Sequence, residues 1–372
     1  MDKILLIDDK DEMTNSIGEA LNKEGFKGEI IKWSPQNIDE LRKLYNQNKK
    51  DEESNADEDI WSRAMNSLDI DMVVVDHDLS SLDNIRISES AIANACNILN
   101  IPVCTYHRKP PTITPSQTIT RKINQTRSFS IILDLDKPNN YEETAKEIIN
   151  IFEGFESLKQ KYNQLEASDK QEGPAKILAV ILGDKDLEAL LARYLANAIV
   201  ASDILDNKNL MNDDEQNEDS YLDDRVPYIL GNWLYNTILS FPGLILNDVA
   251  TASYIDVDYE DFKKNLEYFE KARYKEIFSK NKPYWWRFRL DDLLLENNFS
   301  NGVEYLESKE VSVKHCKCSV SNESPAGYYC IATHQPISYD KSKGNLSWVP
   351  EGADLTRLET STYKKLAPIM GI

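Results

Sequence analysis

Cysteine is scarce in this sequence, with five cysteines in 372 residues. That density is too low for a small domain held together by disulfides, an arrangement typical of secreted proteins. The first residues, MDKILLIDDKDE, also lack the basic segment and the long apolar segment of a secretory signal peptide. We therefore expect a protein of the reducing cytoplasm.

Long uninterrupted apolar runs are also missing. The most apolar stretch, Val226 to Ala252, contains Asn232, Asn236, Asn247 and Asp248. A helix that spans a bilayer needs about 18 or more predominantly apolar residues in succession. The sequence therefore predicts a soluble protein that does not enter a membrane.

Basic residues are fewer than acidic ones. Lys and Arg total 43 against 63 Asp and Glu, which gives a formal net charge of −20. A surface of that sign repels the phosphate backbone of nucleic acids. We expect a protein partner with a basic surface rather than a nucleic acid, and an association that slows as salt rises.

Apolar residues make up 41% of the chain, enough for two or three domains with their own cores. In about the first 165 residues, five short apolar segments alternate with segments of helical spacing. The predicted strands are Lys3–Ile7, Glu29–Trp33, Met72–Val75, Ile101–Thr105 and Ser130–Leu133. Because apolar strands that alternate with helices are typical of parallel sheets covered on both faces, we predict an α/β domain with a flavodoxin-like, doubly wound sheet of five parallel strands.

Helices are predicted between these strands, with two interruptions. The acidic segment Asn46–Asp59 predicts a surface insertion. The segment from Thr105 to Phe129 is basic and rich in Pro and Thr, so the helix expected there is predicted to be short or absent. The predicted helices are Met13–Leu21, Ile38–Tyr45, Ile85–Leu99 and Tyr141–Leu165.

The composition changes after a polar segment at 167–174, which we interpret as a linker. We expect the α/β domain to cover 1–166, a mainly helical domain to cover 175–306, and a small β-containing module to cover 307–372. The last two would form an α+β region. An acidic loop, 206–224, is expected inside the helical domain.

Acidic side chains follow the first and third predicted strands. Asp8 and Asp9 come directly after the first strand, and Asp76 comes directly after the third. Because the carboxyl ends of parallel strands meet at one crevice, these carboxylates would repel one another unless a hard cation such as Mg²⁺ neutralised them. Lys137, after the fifth strand, could pair with a phosphoryl oxygen, and Thr105, at the end of the fourth, could donate its hydroxyl.

Taken in order, these motifs resemble the receiver domain of two-component response regulators. They are the acidic pair in LLIDD, the aspartate in DMVVVDHDLS, the hydroxyl in IPVCT and the Lys-Pro in LDLDKP. The resemblance covers about the first 165 residues. It implies that Asp76 is the phosphoacceptor, that Asp8 and Asp9 hold Mg²⁺, and that Asp78 adds a backbone carbonyl ligand.

The same resemblance implies that Thr105 and Lys137 read the phosphoryl group and shift the domain between two states. It also implies a histidine kinase, or another signalling protein, as the partner. The sequence departs from the family pattern at His77, directly after the acceptor position, and in the acidic insertion. Two alternatives stay open: a receiver that acts as a phosphate-independent interaction module, and a flavodoxin-like domain whose acids are simply solvated.

A second cluster of chemically active side chains lies near the carboxyl terminus. Cys316, Cys318, Cys330 and His334 supply three thiolates and one imidazole, which is a ligand set for structural Zn²⁺, and His315 is a competing ligand. The surrounding segment is polar, so a metal could substitute for a missing core. The alternatives are buried cytosolic thiols beside a hydrogen-bonded histidine, or a catalytic Cys330–His334 pair.

Two further patterns in the helical region each allow two interpretations. Residues 252–269 have the apolar spacing of a helix-turn-helix, but their acidic residues favour a packed helical hairpin. Two interpretations are open for the group Trp285, Trp286, Arg287 and Arg289: a binding surface, or burial against a helix predicted at Trp233–Leu246.

Together these patterns predict a bacterial-type signalling protein in which a receiver-like domain controls a C-terminal interaction or effector region. The sequence identifies no enzyme activity and does not favour one. The competing hypotheses are a receiver-controlled hydrolase or nuclease that uses the Cys/His residues, and a DNA-binding response regulator that uses residues 252–269.

Overall fold

The structure is a computed structural model that describes residues 2–49, 56–108, 113–135, 141–195 and 218–370. Lys137 and residues 206–217 of the predicted acidic loop lie outside these ranges.

The chain forms two units, each of which combines several stretches of sequence. The first unit consists of residues 1–112, 128–163 and 216–232. The second consists of residues 113–127, 164–215 and 233–372. The domain boundaries given above stay predictions.

A parallel sheet forms the centre of the first unit. Its strands are β1 (Lys3–Ile7), β2 (Glu29–Trp33), β3 (Met72–Asp76), β4 (Val103–Arg108) and β5 (Ser130–Leu135). All neighbours are parallel, in the order β2-β1-β3-β4-β5. The predicted five-stranded parallel sheet is therefore confirmed. Its strand order is that of flavodoxin-like sheets, in which the order reverses between β1 and β3 and leaves a crevice at the carboxyl ends of those strands.

Helices flank this sheet. They are α1 (Asp11–Lys23), α2 (Ile38–Asn48), α3 (Asp57–Leu68), α4 (Glu89–Leu99) and, after β5, α6 (Tyr141–Asn163). Alternate strand residues such as Leu5 and Val73 form one hydrophobic cluster with Trp61 of α3 and Ile92 of α4. Because side chains alternate along a strand, the intervening residues lie on the opposite face.

The segment between β4 and β5 contains a complete helix, so the prediction that this helix is short or absent is wrong. This helix, α5 (Pro115–Thr126), begins at a capping box, in which the Thr114 hydroxyl accepts the backbone N–H of Gln117 and the Gln117 side chain accepts the backbone N–H of Thr114. It belongs to the second unit, where the amide of Gln125 donates to Asn236. Because the apolar face of α5 is narrow, the composition of this segment did not indicate a complete helix.

Helices, most of them short, and two small sheets build the rest of the chain that the structure describes. The helices are α7 (Ala167–Lys170), α8 (Pro174–Ile181), α9 (Glu188–Ala192), α10 (Glu218–Trp233), α11 (Asp248–Tyr254), α12 (Tyr259–Lys264), α13 (Arg287–Glu296), α14 (Gly302–Glu307) and α15 (Thr360–Met370). The strands are β6 (Ile245–Asn247), β7 (Arg273–Tyr274), β8 (Tyr284–Trp286), β9 (Tyr328–Cys330), β10 (Gln335–Ile337), β11 (Ser342–Lys343) and β12 (Thr356–Glu359). The sheets have the orders β6-β8-β7 and β10-β9-β12-β11. No helix in the described ranges is both long and apolar enough to cross a membrane.

Aromatic side chains fill the core of the second unit. Trp285 and Trp286 of β8 are 0% and 2% exposed. The Trp285 ring lies 5.0 Å from that of Phe262, which in turn lies 5.4 Å from Phe269. Of the two interpretations of these tryptophans, burial is confirmed and a binding surface made of their rings is wrong. The predicted helix does not extend to Leu246, because residues 245–247 form β6, in which Leu246 lies opposite Trp285.

Candidate functional site

Three carboxylates converge at the carboxyl ends of β1 and β3. Asp8, Asp9 and Asp76 each offer one oxygen, and these oxygens lie within 4.8 Å of one another. The cause is topological, because β1 and β3 are parallel neighbours with Ile7 opposite Val75. Across the described residues, no other group of three His, Cys, Asp or Glu side chains is gathered this closely. The structure thus brings together the three acids that the sequence singled out.

Asp8 is the most deeply buried of the three, at 1% exposure. Its Oδ1 accepts the backbone N–H of Lys10 at 2.7 Å, and its Oδ2 accepts the hydroxyl of Tyr106. Burial raises the pKa of Asp8 to about 6, and the charge of Asp76 adds to that rise, while the two hydrogen bonds oppose it. Charge on this carboxylate is therefore costly when no cation is close.

Asp9 and Asp76 complete the cluster. The Asp9 side chain is 11% exposed, and its Oδ1 is buried with no hydrogen-bond partner, 3.6 Å from the ammonium of Lys10. Burial also raises the pKa of Asp76, although hydrogen bonds from the backbone N–H groups of Asp78 and His77 act against the rise. Hard carboxylate oxygens, one of them without a hydrogen bond, are donors that fit Mg²⁺.

Tyr106 is a member of this site that sequence reasoning missed. It lies opposite Asp76 in the register of β3 and β4, is 2% exposed, and donates its hydroxyl to Asp8. Burial and the nearby charges of all three carboxylates raise the pKa of Tyr106 far above its ordinary value. The phenol is therefore neutral and acts as a hydrogen-bond donor.

Thr105 lies on the other face of the sheet. It pairs with Val75, one residue before the Asp76–Tyr106 pair, so its side chain points away from the carboxylates. The Thr105 hydroxyl lies 2.6 Å from that of Ser130 and 3.3 Å from the carboxylate of Glu89. Its phosphoryl-sensing role stays a prediction from the resemblance.

Replacing Thr105 with valine should lower the free energy of unfolding by about 0.5 to 1.5 kcal/mol, because the buried hydrogen bond between the Thr105 and Ser130 hydroxyls is lost. Urea denaturation of the wild type and the variant measures the change. The matched control is Thr120→Val on α5, where the side chain is exposed and the expected change is within about 0.5 kcal/mol. Equal stabilities of Thr105→Val and wild type would show that the buried hydroxyl pair contributes nothing.

The other residues that the resemblance assigns to this site are placed as follows. Asp78 is exposed, and its carboxylate accepts the backbone N–H of Ser80 at 3.2 Å, a contact that lowers the pKa of Asp78. The Ser81 hydroxyl donates to the backbone carbonyl of Asp9 at 3.1 Å. Lys137 lies outside the described residues, and within them Lys10 is the cation that forms an ion pair with the cluster.

The four predicted zinc ligands are described, but no three of them have ligand atoms within 4.8 Å of one another. Cys316, Cys318 and Cys330 are free, buried thiols, and the His334 imidazole hydrogen-bonds the hydroxyl of Tyr329. Tetrahedral ligands at about 2.0 to 2.3 Å from zinc would lie closer together than that limit. The zinc site stays a prediction from the sequence, without support from this arrangement.

The competing ligand His315 and the two neighbouring thiols have distinct surroundings. His315 Nδ1 lies 2.7 Å from the carboxylate of Asp256, which also accepts the backbone N–H of Cys316 at 3.1 Å. Burial raises the pKa of the Cys316 thiol to about 12. Burial acts in the same direction on Cys318, but hydrogen bonds from Ser338 and nearby backbone N–H groups outweigh it and lower the pKa of Cys318 to about 7.

Comparison of the chain with protein-family models, with curated proteins and with solved structures finds no match. The receiver resemblance therefore rests on the motif residues and on the strand order of the first unit. Within the described chain, the acidic cluster of Asp8, Asp9 and Asp76 is the place where these motif residues lie at the crevice that the strand order creates.

Proposed function

We propose that the first unit is a receiver-like regulatory domain that binds Mg²⁺ at Asp8, Asp9 and Asp76 and accepts a phosphoryl group on Asp76. The observation that carries this proposal is the convergence of these three carboxylates at the β1–β3 crevice of a parallel sheet. Ligands of α/β sheets bind at this position, where the strand order reverses.

The carboxylates differ in ways that suit different roles. Asp8 is 1% exposed and is held at both oxygens, which suits a fixed ligand. Asp76 is only partly buried and accepts backbone N–H groups from Asp78 and His77, which orient its carboxylate. A phosphoryl donor can therefore reach Asp76 more easily than Asp8.

In the proposed reaction, an oxygen of Asp76 attacks the phosphorus of the donor. A new bond forms between that oxygen and phosphorus, and the bond from phosphorus to the leaving group breaks, so the leaving group departs with the bonding electrons. When bound, Mg²⁺ neutralises part of the carboxylate charge and polarises the phosphoryl oxygens. Lys10 places a positive charge 3.6 Å from Asp9, at the edge of the same cluster.

The second unit is the effector or interaction region in this proposal, and the partner is a protein. A histidine kinase, or another signalling protein with a basic surface, complements the net charge of −20. Among the described residues, the C-terminal Cys and His side chains do not gather into a metal-binding group of three, so a metal-dependent hydrolase or nuclease at those residues gains no support from such a group.

The test is phosphorylation in solution. Incubation with acetyl phosphate and Mg²⁺ should add one phosphoryl group to the wild type, as measured by intact-mass spectrometry. Asp76→Asn should gain none, because the nucleophilic oxygen is replaced, and EDTA should prevent modification of the wild type. Asp83→Asn is the matched control, since it removes an exposed carboxylate of the same unit that lies outside the cluster, and it should be modified like the wild type.

Equal modification of Asp76→Asn and wild type would contradict the assignment of the acceptor. A wild type that binds Mg²⁺ but gains no phosphoryl group would contradict phosphoryl transfer and favour a phosphate-independent interaction module.

A further inference from the structure

We propose that Tyr106 is a positioning residue that holds the Asp8 carboxylate in the orientation in which it ligates the cation. This inference rests on the cation site proposed above and assigns a role to a residue outside the receiver motifs quoted from the sequence.

Tyr106 reaches Asp8 across the sheet. It lies on β4, and Asp8 follows β1, with β3 between these two strands. Neighbouring strands are about 4.8 Å apart, so the Tyr106 side chain bridges roughly two strand spacings. It does so from the position beside Asp76, which places the phenol hydroxyl next to the carboxylate cluster.

Asp8 has two contacts that fix its orientation. The backbone N–H of Lys10 holds Oδ1 at 2.7 Å, and the hydroxyl of Tyr106 holds Oδ2. The first contact is made by the backbone and survives substitution of the Lys10 side chain. The second depends wholly on one hydroxyl, so Tyr106 is the side chain through which the orientation of Asp8 can be changed without altering Asp8 itself.

A hydrogen bond from Tyr106 is compatible with metal ligation by the same carboxylate. A carboxylate oxygen has two lone pairs, so it can accept the phenol hydroxyl on one side and bind a cation on the other. Mg²⁺ requires nearly ideal octahedral geometry, which penalises a ligand that is free to rotate. Hydrogen bonds that orient metal ligands typically contribute about 10- to 100-fold to affinity.

The test compares Mg²⁺ affinity in the wild type and in Tyr106→Phe by isothermal titration calorimetry. This substitution removes the hydroxyl and keeps the buried ring. We expect binding to be about 10- to 100-fold weaker. With Tb³⁺ as a probe, luminescence lifetimes in H₂O and D₂O should also show an additional coordinated water, because Asp8 no longer stays in place as a ligand.

The matched control is Tyr45→Phe. Tyr45 donates its hydroxyl to the carboxylate of Asp57 at 2.8 Å, in the same unit but outside the cluster. This variant loses the same type of hydrogen bond and should keep wild-type Mg²⁺ affinity and hydration of Tb³⁺.

A second measurement separates positioning from general damage to the fold. In an Asp8→Asn background, adding Tyr106→Phe should weaken residual Mg²⁺ binding much less than it does in the wild type, because its target carboxylate is gone. An equal loss in both backgrounds would overturn the positioning role. Unchanged or tighter binding by Tyr106→Phe alone would also overturn it, whereas a wild type that binds no Mg²⁺ would overturn the proposed cation site itself.

Discussion

Replacing Trp285 with alanine is expected to lower the free energy of unfolding of the second unit by about 3 to 5 kcal/mol. Trp285 is fully buried in the central strand of the β6-β8-β7 sheet. Its ring packs against Phe262, and the guanidinium of Arg273 lies 4.7 Å from its centre. Alanine would remove these contacts and leave a cavity that rigid strands on both sides cannot close. Guanidinium denaturation followed by far-ultraviolet circular dichroism measures the loss.

Tyr339→Ala is the control for this experiment. Tyr339 is also aromatic and in the second unit, but it is 67% exposed, so its removal should change the free energy of unfolding by about 0.5 kcal/mol or less. A loss for Trp285→Ala as small as that for Tyr339→Ala would contradict the buried position of Trp285.

Strand positions in the first unit could be predicted because they are local properties of the sequence. The run that forms β1 is continuously apolar from Ile4 to Ile7, and the bounds predicted for β1 and for the more polar β2 match the structure. The acids at the strand ends follow from the same reasoning. Once the strands are parallel, Asp8, Asp9 and Asp76 must lie at one edge of the sheet.

The role of Tyr106 could not be predicted, because it depends on where β4 ends. The sequence predicts an end at Thr105, whereas pairing with β5 extends the strand to Arg108, with Tyr106 opposite Leu133. Since side chains alternate along a strand, a difference of one residue decides which side chain faces Asp76. That register is set by contacts between strands, which a single sequence does not reveal.

The C-terminal cysteines illustrate a similar limit. Spacing showed that Cys316, Cys318, Cys330 and His334 are close in sequence, but the direction of each side chain depends on the turns between them. His334, for example, has a φ of 55°, a left-handed conformation that changes the direction of the chain after β9. Its imidazole hydrogen-bonds Tyr329, a contact that spacing does not indicate.

A large pH effect between pH 4 and pH 7 is expected at Asp8. The pKa of Asp8 is about 6 in the folded protein, against an ordinary value of 3.8, so the folded state binds this proton more tightly than the unfolded state. Stability without a cation should therefore fall as pH rises from 3.8 to about 6, and the full cost should persist above that range. The shift corresponds to about 3 kcal/mol.

Asp8→Asn isolates this contribution, because asparagine is similar in shape and does not titrate. In EDTA, the difference in free energy of unfolding between variant and wild type should move in favour of the variant by about 2 kcal/mol between pH 4 and pH 7, which is most of the full shift. Using the change with pH removes the constant cost of the altered hydrogen bonds to Tyr106 and Lys10. Other acids that titrate in both proteins largely cancel in the comparison.

If Mg²⁺ binds as proposed, it should reverse the loss of stability that the charged Asp8 carboxylate causes at pH 7. A cation that binds only the folded state stabilises it in proportion to the logarithm of its concentration above the dissociation constant. The wild type should therefore gain stability with Mg²⁺, and Asp8→Asn, which lacks one charged ligand, should gain less. Parallel pH curves for the two proteins in EDTA would show that the pKa of Asp8 is not raised in the folded protein, because a carboxylate with an ordinary pKa adds no pH dependence to folding in this range.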